Sequence, residues 1–96
     1  MARSRLLVAY DVASDARRTA VYKLLNDFGD WVQFSVFLCE LSDREEIELR
    51  SCLTETIHLA EDSVVLVALG PASSDVGQRL ETIGKQMLVK ERTVVV

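Results

Sequence analysis

The chain has 96 residues, of which 49% are hydrophobic, and its formal net charge is −4. This length predicts a single domain over residues 1–96, and the hydrophobic fraction excludes a disordered chain. No run of about 18 apolar residues is present, and the apolar run after the basic residues 1–5 is too short for a secretory signal, so we expect no membrane partner. The two cysteines, Cys39 and Cys52, match no zinc or redox spacing, which predicts reduced core residues of a cytoplasmic protein.

The negative charge is concentrated in the middle of the chain. Residues 1–37 carry five Lys/Arg and four Asp/Glu, a balance of +1. Residues 38–62 carry two and eight, a balance of −6, and residues 63–96 carry four and three, a balance of +1. A net negative charge argues against a nucleic-acid partner, but this distribution still allows a local basic surface in the first half.

A strand, a helix and a second strand are predicted in the first half of the chain. Residues 5–12 form a continuous apolar run, which is typical of a strand covered on both faces. Residues 15–28 place apolar side chains at i, i+3, i+4 and i+7, which predicts a helix that starts after Ser14 and ends at Gly29. Residues 31–39 are rich in aromatic and β-branched residues, which predicts a strand.

The second half predicts another helix and three further strands. Residues 43–60 have helical periodicity, residues 63–69 and 79–83 are predicted strands, and residues 93–96 form a β-prone tail. The predicted fold class is α+β, a ferredoxin-like βαββαβ-type sandwich with both helices on one face of the sheet and an extra C-terminal strand. An apolar tail leaves an open edge unless it pairs, so we expect residues 93–96 to pair with a second copy in a two-fold homodimer.

Asp11, which ends the first predicted strand, is the first candidate functional residue. Strand alternation places it on one face with Leu7 and Ala9, whereas Tyr10 points to the opposite face and is expected to be a packing residue. One interpretation is that Asp11 caps the turn or the next helix, because Asp is common at both positions. The other interpretation is that Asp11, an acid close to the paired cations Arg17 and Arg18, is a functional residue.

The second predicted strand has one apolar face and one mixed face. Alternation gives an apolar face of Val32, Phe34, Val36 and Leu38 and a mixed face of Trp31, Gln33, Ser35, Phe37 and Cys39. A mixed face predicts a polar surface or an interface, and Gln33, Ser35 and Phe37 are its candidate interface residues. Ordinary packing is the alternative for Phe37.

Three stretches of the sequence resemble a known family. They are Tyr10-Asp11-Val12, Asp15-Ala16-Arg17-Arg18, and a third stretch from Phe28 to Phe37 that contains Gly-x-x-Val-Gln-x-Ser-Val-Phe. This chain resembles the CRISPR-associated protein 2 family, the small subunit of the spacer-acquisition machinery. Residues 80–84 and the tail 94–96 extend the resemblance over essentially the whole chain.

The resemblance implies a ferredoxin-like homodimer in which two copies of Asp11 approach each other and bind a divalent ion, usually Mg²⁺. It implies metal-dependent cleavage of nucleic acid in some members, with Asp11 as the catalytic and metal-binding residue. Hydrolysis of a phosphodiester needs an activated water and charge stabilisation, and Mg²⁺ held by one or two carboxylates supplies both. Because no second acid is close to Asp11 in the sequence, a catalytic site requires the dimer.

Arg17 and Arg18 are the candidate nucleic-acid-binding residues. Cations at a helix N-terminus are unfavourable by about 0.3–1 kcal/mol, but helix N-termini bind phosphate and arginine adds bidentate contacts. Solvated side chains are the alternative, and the family resemblance favours phosphate contact.

The resemblance gives two candidate functions. The first is an adaptor for CRISPR adaptation, a dimer that holds a DNA duplex and bridges two dimers of the CRISPR integrase subunit. The alternative is an Mg²⁺-dependent endonuclease that cleaves single-stranded RNA or duplex DNA. Trp31 stands where many members have arginine, and Leu38 stands where an acid is common. These departures argue against nuclease activity more than against the fold.

Overall fold

Two helices pack on one face of a four-stranded antiparallel sheet in the computed structural model, which describes residues 2–73 and 80–84. The elements in chain order are β1 (Arg3–Asp11), α1 (Asp15–Phe28), β2 (Gly29–Gln33), β3 (Val36–Ser42), α2 (Asp43–Thr56) and β4 (Ser63–Pro71). The strand order is β2-β3-β1-β4, with antiparallel pairing throughout. This arrangement confirms the predicted ferredoxin-like sandwich. Neither described helix has the length and apolar character needed to cross a membrane.

The core lies between the helices and one face of β1 and β3. Alternation along β1 is as predicted, since Val8 and Tyr10 are buried whereas Asp11 is exposed. The buried core consists of Leu6, Val8, Tyr10, Val12, Val21, Leu25, Phe37, Cys39, Leu41, Leu49 and Leu53. Neither cysteine forms a disulfide bond, and Cys39 is buried in the core whereas Cys52 is only partly buried. The chain therefore buries one face of its sheet under its own helices.

The first helix has the bounds that the sequence predicts. Gly29, which follows it, is required for a reason other than ending the helix. Ser14 Oγ accepts a hydrogen bond from Arg17 N at 3.2 Å and so caps the start of α1. Gly29 ends the helix in extended backbone, a conformation that any residue can adopt. A Cβ atom on Gly29 would lie 2.5 Å from both Cys39 Sγ and the Leu38 carbonyl oxygen. The glycine is required because β2 approaches β3 closely at this position.

The prediction of one continuous strand over residues 31–39 is wrong. The chain reverses at Phe34 and Ser35, so that β2 and β3 form a hairpin with a two-residue turn. The predicted apolar and mixed faces of that strand are wrong as well, because Phe37 is fully buried and Phe34 is 86% exposed. Gln-Phe-Ser-Val contains none of the Gly, Asn or Asp residues that usually mark a tight hairpin turn. The sequence therefore gave no signal for the reversal.

The second helix is shorter than predicted. It starts with a capping box between Ser42 and Glu45, as its sequence favours, but it ends at Thr56 and not at residue 60. The hydroxyl of Thr56 donates to the Cys52 carbonyl oxygen at 2.7 Å, and Ile57 then takes up extended backbone. This end frees residues 57–62 to form a loop in front of β4.

The predicted strand at residues 79–83 is also not observed in its described part. Residues 80–83 belong to no strand, and Ile83 is 94% exposed. Among the described residues, the sheet obtains its fourth strand from the split of residues 31–39, and β4 lies at one end of the strand order. Residue 79 and the predicted tail strand at residues 93–96 lie outside the described residues.

Gly29→Ala is expected to destabilise the protein by about 1–3 kcal/mol, because the added methyl group overlaps the β3 backbone and the Cys39 thiol. Urea denaturation followed by circular dichroism measures the change. Thr19→Ala, at an exposed position on α1, is the control and should change stability by no more than about 0.5 kcal/mol. Equal stability of Gly29→Ala and the wild type would contradict the close approach.

Candidate functional site

Asp11 is the exposed last residue of β1, where it pairs with Ser63 at the start of β4. Its carboxylate makes no hydrogen bond or ion pair with any residue in the described part of the chain. The N-cap of α1 is Ser14, so the interpretation of Asp11 as a helix cap is wrong. An exposed acid that supports no local structure is free to bind a ligand.

Asp11 offers a single carboxylate, which is a ligand type that hard cations prefer. Within residues 2–73 and 80–84, no three His, Cys, Asp or Glu side chains come together in a way that could hold a metal ion. Mg²⁺ binds through one or two carboxylates and keeps several waters. One Asp11 carboxylate therefore suits a shared site between two copies better than a site within one chain.

Arg17, one of the two residues predicted to bind nucleic acid, forms an ion pair with the buried Asp62. Arg17 Nε lies 2.7 Å from Asp62 Oδ2, and Arg17 Nη2 lies 3.1 Å from Asp62 Oδ1. Arg17 Nη2 also lies 3.1 Å from Glu61 Oε1. The Asp62 side chain is fully buried, whereas that of Arg17 remains 28% exposed. This bidentate pair neutralises the positive charge of Arg17.

Asp62 binds two backbone amides in addition to Arg17. Its Oδ1 accepts from Ala13 N at 2.9 Å, and its Oδ2 accepts from His58 N at 2.8 Å. The hydrogen bonds from Arg17 are the largest influence, and with the two amides they hold the pKa of Asp62 well below its usual range although burial opposes them. The bond to Asp62 in turn raises the pKa of Arg17.

Arg18 is the more available of the two predicted cations. Its Nη1 lies 2.6 Å from Asp15 Oδ1, and its Nη2 donates to the Val12 carbonyl oxygen at 3.0 Å. The side chains of Arg18 and Asp15 are 45% and 95% exposed, so solvent screens this pair. Arg18 therefore reaches back from the start of α1 to Val12, the residue after Asp11, and keeps donors that can face a phosphate.

The remaining predicted site residues divide between the core and the surface. Tyr10 is a packing residue, as expected, and stacks on Phe37 with a centroid separation of 6.4 Å. Burial raises the pKa of the Tyr10 phenol, and a hydrogen bond with the Ser35 side chain partly opposes this shift. Phe37 is fully buried and stacks on Tyr10, so it is a packing residue and not an interface residue. Gln33 is exposed and lies beside Val36 in the β2–β3 pair.

Asp62 is the residue of this region that sequence reasoning missed. In the sequence, Asp62 is one of the eight acids of residues 38–62 and belongs to no motif. The signal that was available is its position, directly before the apolar run that forms β4, where a charged residue is seldom buried without a partner. Finding that partner required the fold, because Arg17 is 45 residues away in the sequence.

Comparison with known proteins is consistent across sequence and structure. The family profile described as CRISPR associated protein Cas2 matches residues 4–75. The Rhodospirillum rubrum protein named CRISPR-associated endoribonuclease Cas2 1 is 38% identical over 90 residues, which cover 94% of this chain and 87% of that protein. The Geobacter sulfurreducens protein named CRISPR-associated endoribonuclease Cas2 is 35% identical over 79 residues, which cover 82% of each.

The structural similarity agrees with these sequence matches. The crystal structure of Streptococcus pyogenes Cas2 at pH 6.5 matches with a TM-score of 0.74 and 34% sequence identity, covering 83% of this chain and 99% of that chain. The fold and these matches define a small ferredoxin-like protein of the CRISPR-associated class. The chain belongs to the CRISPR-associated protein Cas2 family, which confirms the resemblance seen in the sequence.

Asp62→Asn is expected to lower the midpoint of urea unfolding at pH 7. The variant should also lose less stability than the wild type as the pH is lowered. The pKa of Asp62 is lower in the folded chain than in the unfolded chain, where Asp titrates near about 4. The stability that Asp62 contributes is therefore complete above about pH 4 and is lost as the pH falls through the folded-state value. Urea denaturation in steps from pH 7 to about pH 2 measures both effects.

Asp15→Asn is the matched control for this experiment, because it removes a carboxylate from the exposed pair with Arg18. It should leave the acid dependence of stability close to that of the wild type. An unchanged acid dependence in Asp62→Asn would show that Asp62 is not the titrating group.

Proposed function

We propose that this Cas2-family chain acts as a homodimeric, Mg²⁺-dependent endoribonuclease in a CRISPR system, with the two Asp11 carboxylates forming the shared metal site. The observation that carries this proposal is the exposed carboxylate of Asp11 at the end of β1, which makes no hydrogen bond or ion pair within residues 2–73 and 80–84. The Rhodospirillum and Geobacter relatives are both named endoribonucleases, which supports the choice of RNA as the substrate.

The sheet face that carries Asp11 supports dimerisation. Directly opposed residues of adjacent strands share a face. On this face the pairs place Leu38, Leu7 and Val67 in one row, and Val36, Ala9 and Val65 in the next. Val65 and Val67 are 54% and 43% exposed. Contact between two such faces removes this apolar surface from water and brings the two Asp11 residues toward each other.

Each residue of the proposed site has a separate task. The two Asp11 carboxylates would hold the Mg²⁺, which would supply an activated water and stabilise charge on the phosphate. Arg18, half exposed near the start of α1, contacts a neighbouring phosphate. Arg17 and Asp62 fix the backbone of that turn and do not contact RNA.

Asp11→Asn is expected to reduce Mg²⁺-dependent cleavage of single-stranded RNA at least about a hundredfold, because the amide keeps the shape of the side chain but loses the negative charge that binds the cation. Gel assays with purified protein, with and without Mg²⁺, measure the loss. Asp15→Asn is the control, since Asp15 is an exposed acid of the same turn that pairs with Arg18. Equal residual cleavage by the wild type and Asp11→Asn would overturn the proposed catalytic role.

A second candidate function is the adaptor role, in which the dimer holds duplex DNA and bridges two integrase dimers. One observation favours it. Leu38, at a position where an acid is common in the family, lies between Leu7 and the β2 residue Asp30 and adds apolar area to the proposed dimer face. An adaptor keeps DNA binding and integration when Asp11 is replaced by Asn, whereas a nuclease loses its activity. The same variant therefore separates the two functions.

Val67→Glu is expected to convert the dimer to a folded monomer and to abolish Mg²⁺-dependent cleavage. The side chain is 43% exposed in one protomer, so a charge is tolerated there until a second apolar face covers it. Size-exclusion chromatography with light scattering measures the mass, and circular dichroism checks the fold.

Ile47→Glu is the matched control for the dimer experiment, because Ile47 is 69% exposed on α2, in the helix layer on the other side of the sheet. This variant should remain dimeric and active. A dimeric Val67→Glu protein would show that the chain does not dimerise through this sheet face.

A further inference from the structure

Asp11 is enclosed in a short ring of the chain that closes at Asp62. On one side Asp11 pairs with Ser63, the first residue of β4, which follows Asp62 directly in the sequence. On the other side Ala13, two residues after Asp11, donates its backbone N–H to Asp62 Oδ1 at 2.9 Å. A shift of Asp62 is therefore transmitted to the backbone on both sides of Asp11.

The carboxylate of Asp62 has no capacity left for a ligand. Its side chain is fully buried. Oδ1 accepts from Ala13 N and Arg17 Nη2 at 2.9 and 3.1 Å, and Oδ2 accepts from Arg17 Nε and His58 N at 2.7 and 2.8 Å. A carboxylate offers about four lone-pair sites, so these four donors fill it. Asp62 therefore acts through the residues that it holds and does not touch a metal ion or a nucleic acid.

Apolar packing fixes only one point of the segment that follows Asp11. Val12 is 4% exposed and belongs to the core, whereas Asp11 and Ala13 are exposed. The Val12 carbonyl oxygen accepts from Arg18 Nη2 at 3.0 Å, and Ala13 N donates to Asp62. A functional carboxylate has to be held to within about 0.5 Å of its working position by such supporting bonds. The polar contacts of this segment therefore bear directly on where Asp11 lies.

We propose that Asp62 is a positioning residue that sets the affinity of the shared Asp11 site for its divalent cation. The inference rests on the proposed function, and it adds to that function a residue outside the site that controls it. A cation held by one carboxylate from each copy has few protein ligands, so its affinity depends on the placement of each one. Replacing a residue that orients a metal ligand typically lowers metal affinity by about 10–100-fold.

Charge is the competing explanation for a role of Asp62, because a second carboxylate near Asp11 attracts a cation without positioning anything. The ion pair counts against it, since the Arg17 guanidinium binds Asp62 through both Nε and Nη2 and neutralises its charge. Glu61, which Arg17 Nη2 also contacts at 3.1 Å, is 57% exposed, so solvent screens it. Asp62 therefore contributes a fixed position more than a charge.

The test measures cation binding separately from cleavage. Mn²⁺ replaces Mg²⁺, because carboxylate oxygens suit both ions, and electron paramagnetic resonance of the free Mn²⁺ gives its affinity for the dimer. Asp62→Asn keeps the shape of the side chain but loses its charge and one acceptor. Asp62→Glu keeps the charge but moves the carboxylate by one methylene group.

Two matched controls separate position from charge and from stability. Glu61→Gln removes the same charge beside Arg17 as Asp62→Asn does, but it leaves the bond between Ala13 and Asp62 in place. Gly29→Ala destabilises the fold at the level of Leu6, five residues from Asp11 along β1. Circular dichroism and light scattering confirm that each variant is a folded dimer at the temperature of the binding experiment.

Both Asp62 variants are expected to bind Mn²⁺ about tenfold or more weakly than the wild type, whereas both controls stay within about threefold. Hydrogen exchange in the peptide that contains residues 11–13 should become faster in the Asp62 variants and stay unchanged in Glu61→Gln. Cleavage of RNA by the Asp62 variants should recover as the Mg²⁺ concentration is raised. In the wild type, saturating Mg²⁺ should slow exchange in the same peptide, because coupling between two sites is reciprocal.

Three results overturn the inference. They are wild-type Mn²⁺ affinity in Asp62→Asn, an equal loss of affinity in Glu61→Gln, and no effect of Mg²⁺ on exchange in the wild type, a measurement that decides the case if the Asp62 variants unfold. The proposed function fails independently, if the wild type and Asp11→Asn cleave RNA equally. In that case weaker Mn²⁺ binding by Asp62→Asn, with Glu61→Gln unchanged, still supports the positioning role. A wild-type protein that binds no Mn²⁺ overturns both.

Discussion

The bidentate ion pair between Arg17 and the buried Asp62 is the interaction on which the functional end of this fold depends. Asp62 connects three segments that are distant in sequence, since it binds the turn after β1 at Ala13, the first turn of α1 at Arg17 and the loop after α2 at His58. These segments surround the ends of β1 and β4, where Asp11 pairs with Ser63. The position of the Asp11 backbone is therefore set by a charge pair and not by apolar packing alone.

The same pair determines the charge of the surface around Asp11. A buried carboxylate that lost its cation would be an uncompensated charge, so the guanidinium of Arg17 is held against Asp62. Arg18, near the start of α1, pairs instead with the exposed Asp15 and reaches back to the Val12 carbonyl oxygen. Two adjacent arginines with similar sequence signals thus have different surroundings.

Sequence reasoning succeeded where a regular pattern of burial determines the structure. The period of two in β1 and the helical period of α1 gave correct faces and helix bounds, because both elements are amphipathic. It failed at the turn of Phe34, where an aromatic residue adopts a conformation that usually requires Gly or Asn. It also failed for Asp62, because long-range ion pairing leaves no local pattern in the sequence.

The turn at Phe34 and the ion pair of Asp62, which sequence reasoning missed, lie at the same end of the sheet as the candidate site. Local sequence and global fold agree through most of a natural protein, and positions where they conflict are commonly functional. Here the exposed ring of Phe34, the unpaired Asp11 and the apolar pair Val65 and Val67 all remain without a partner in the described protomer. The dimer proposed above would cover the two valines and bring a second Asp11 carboxylate to this end of the sheet.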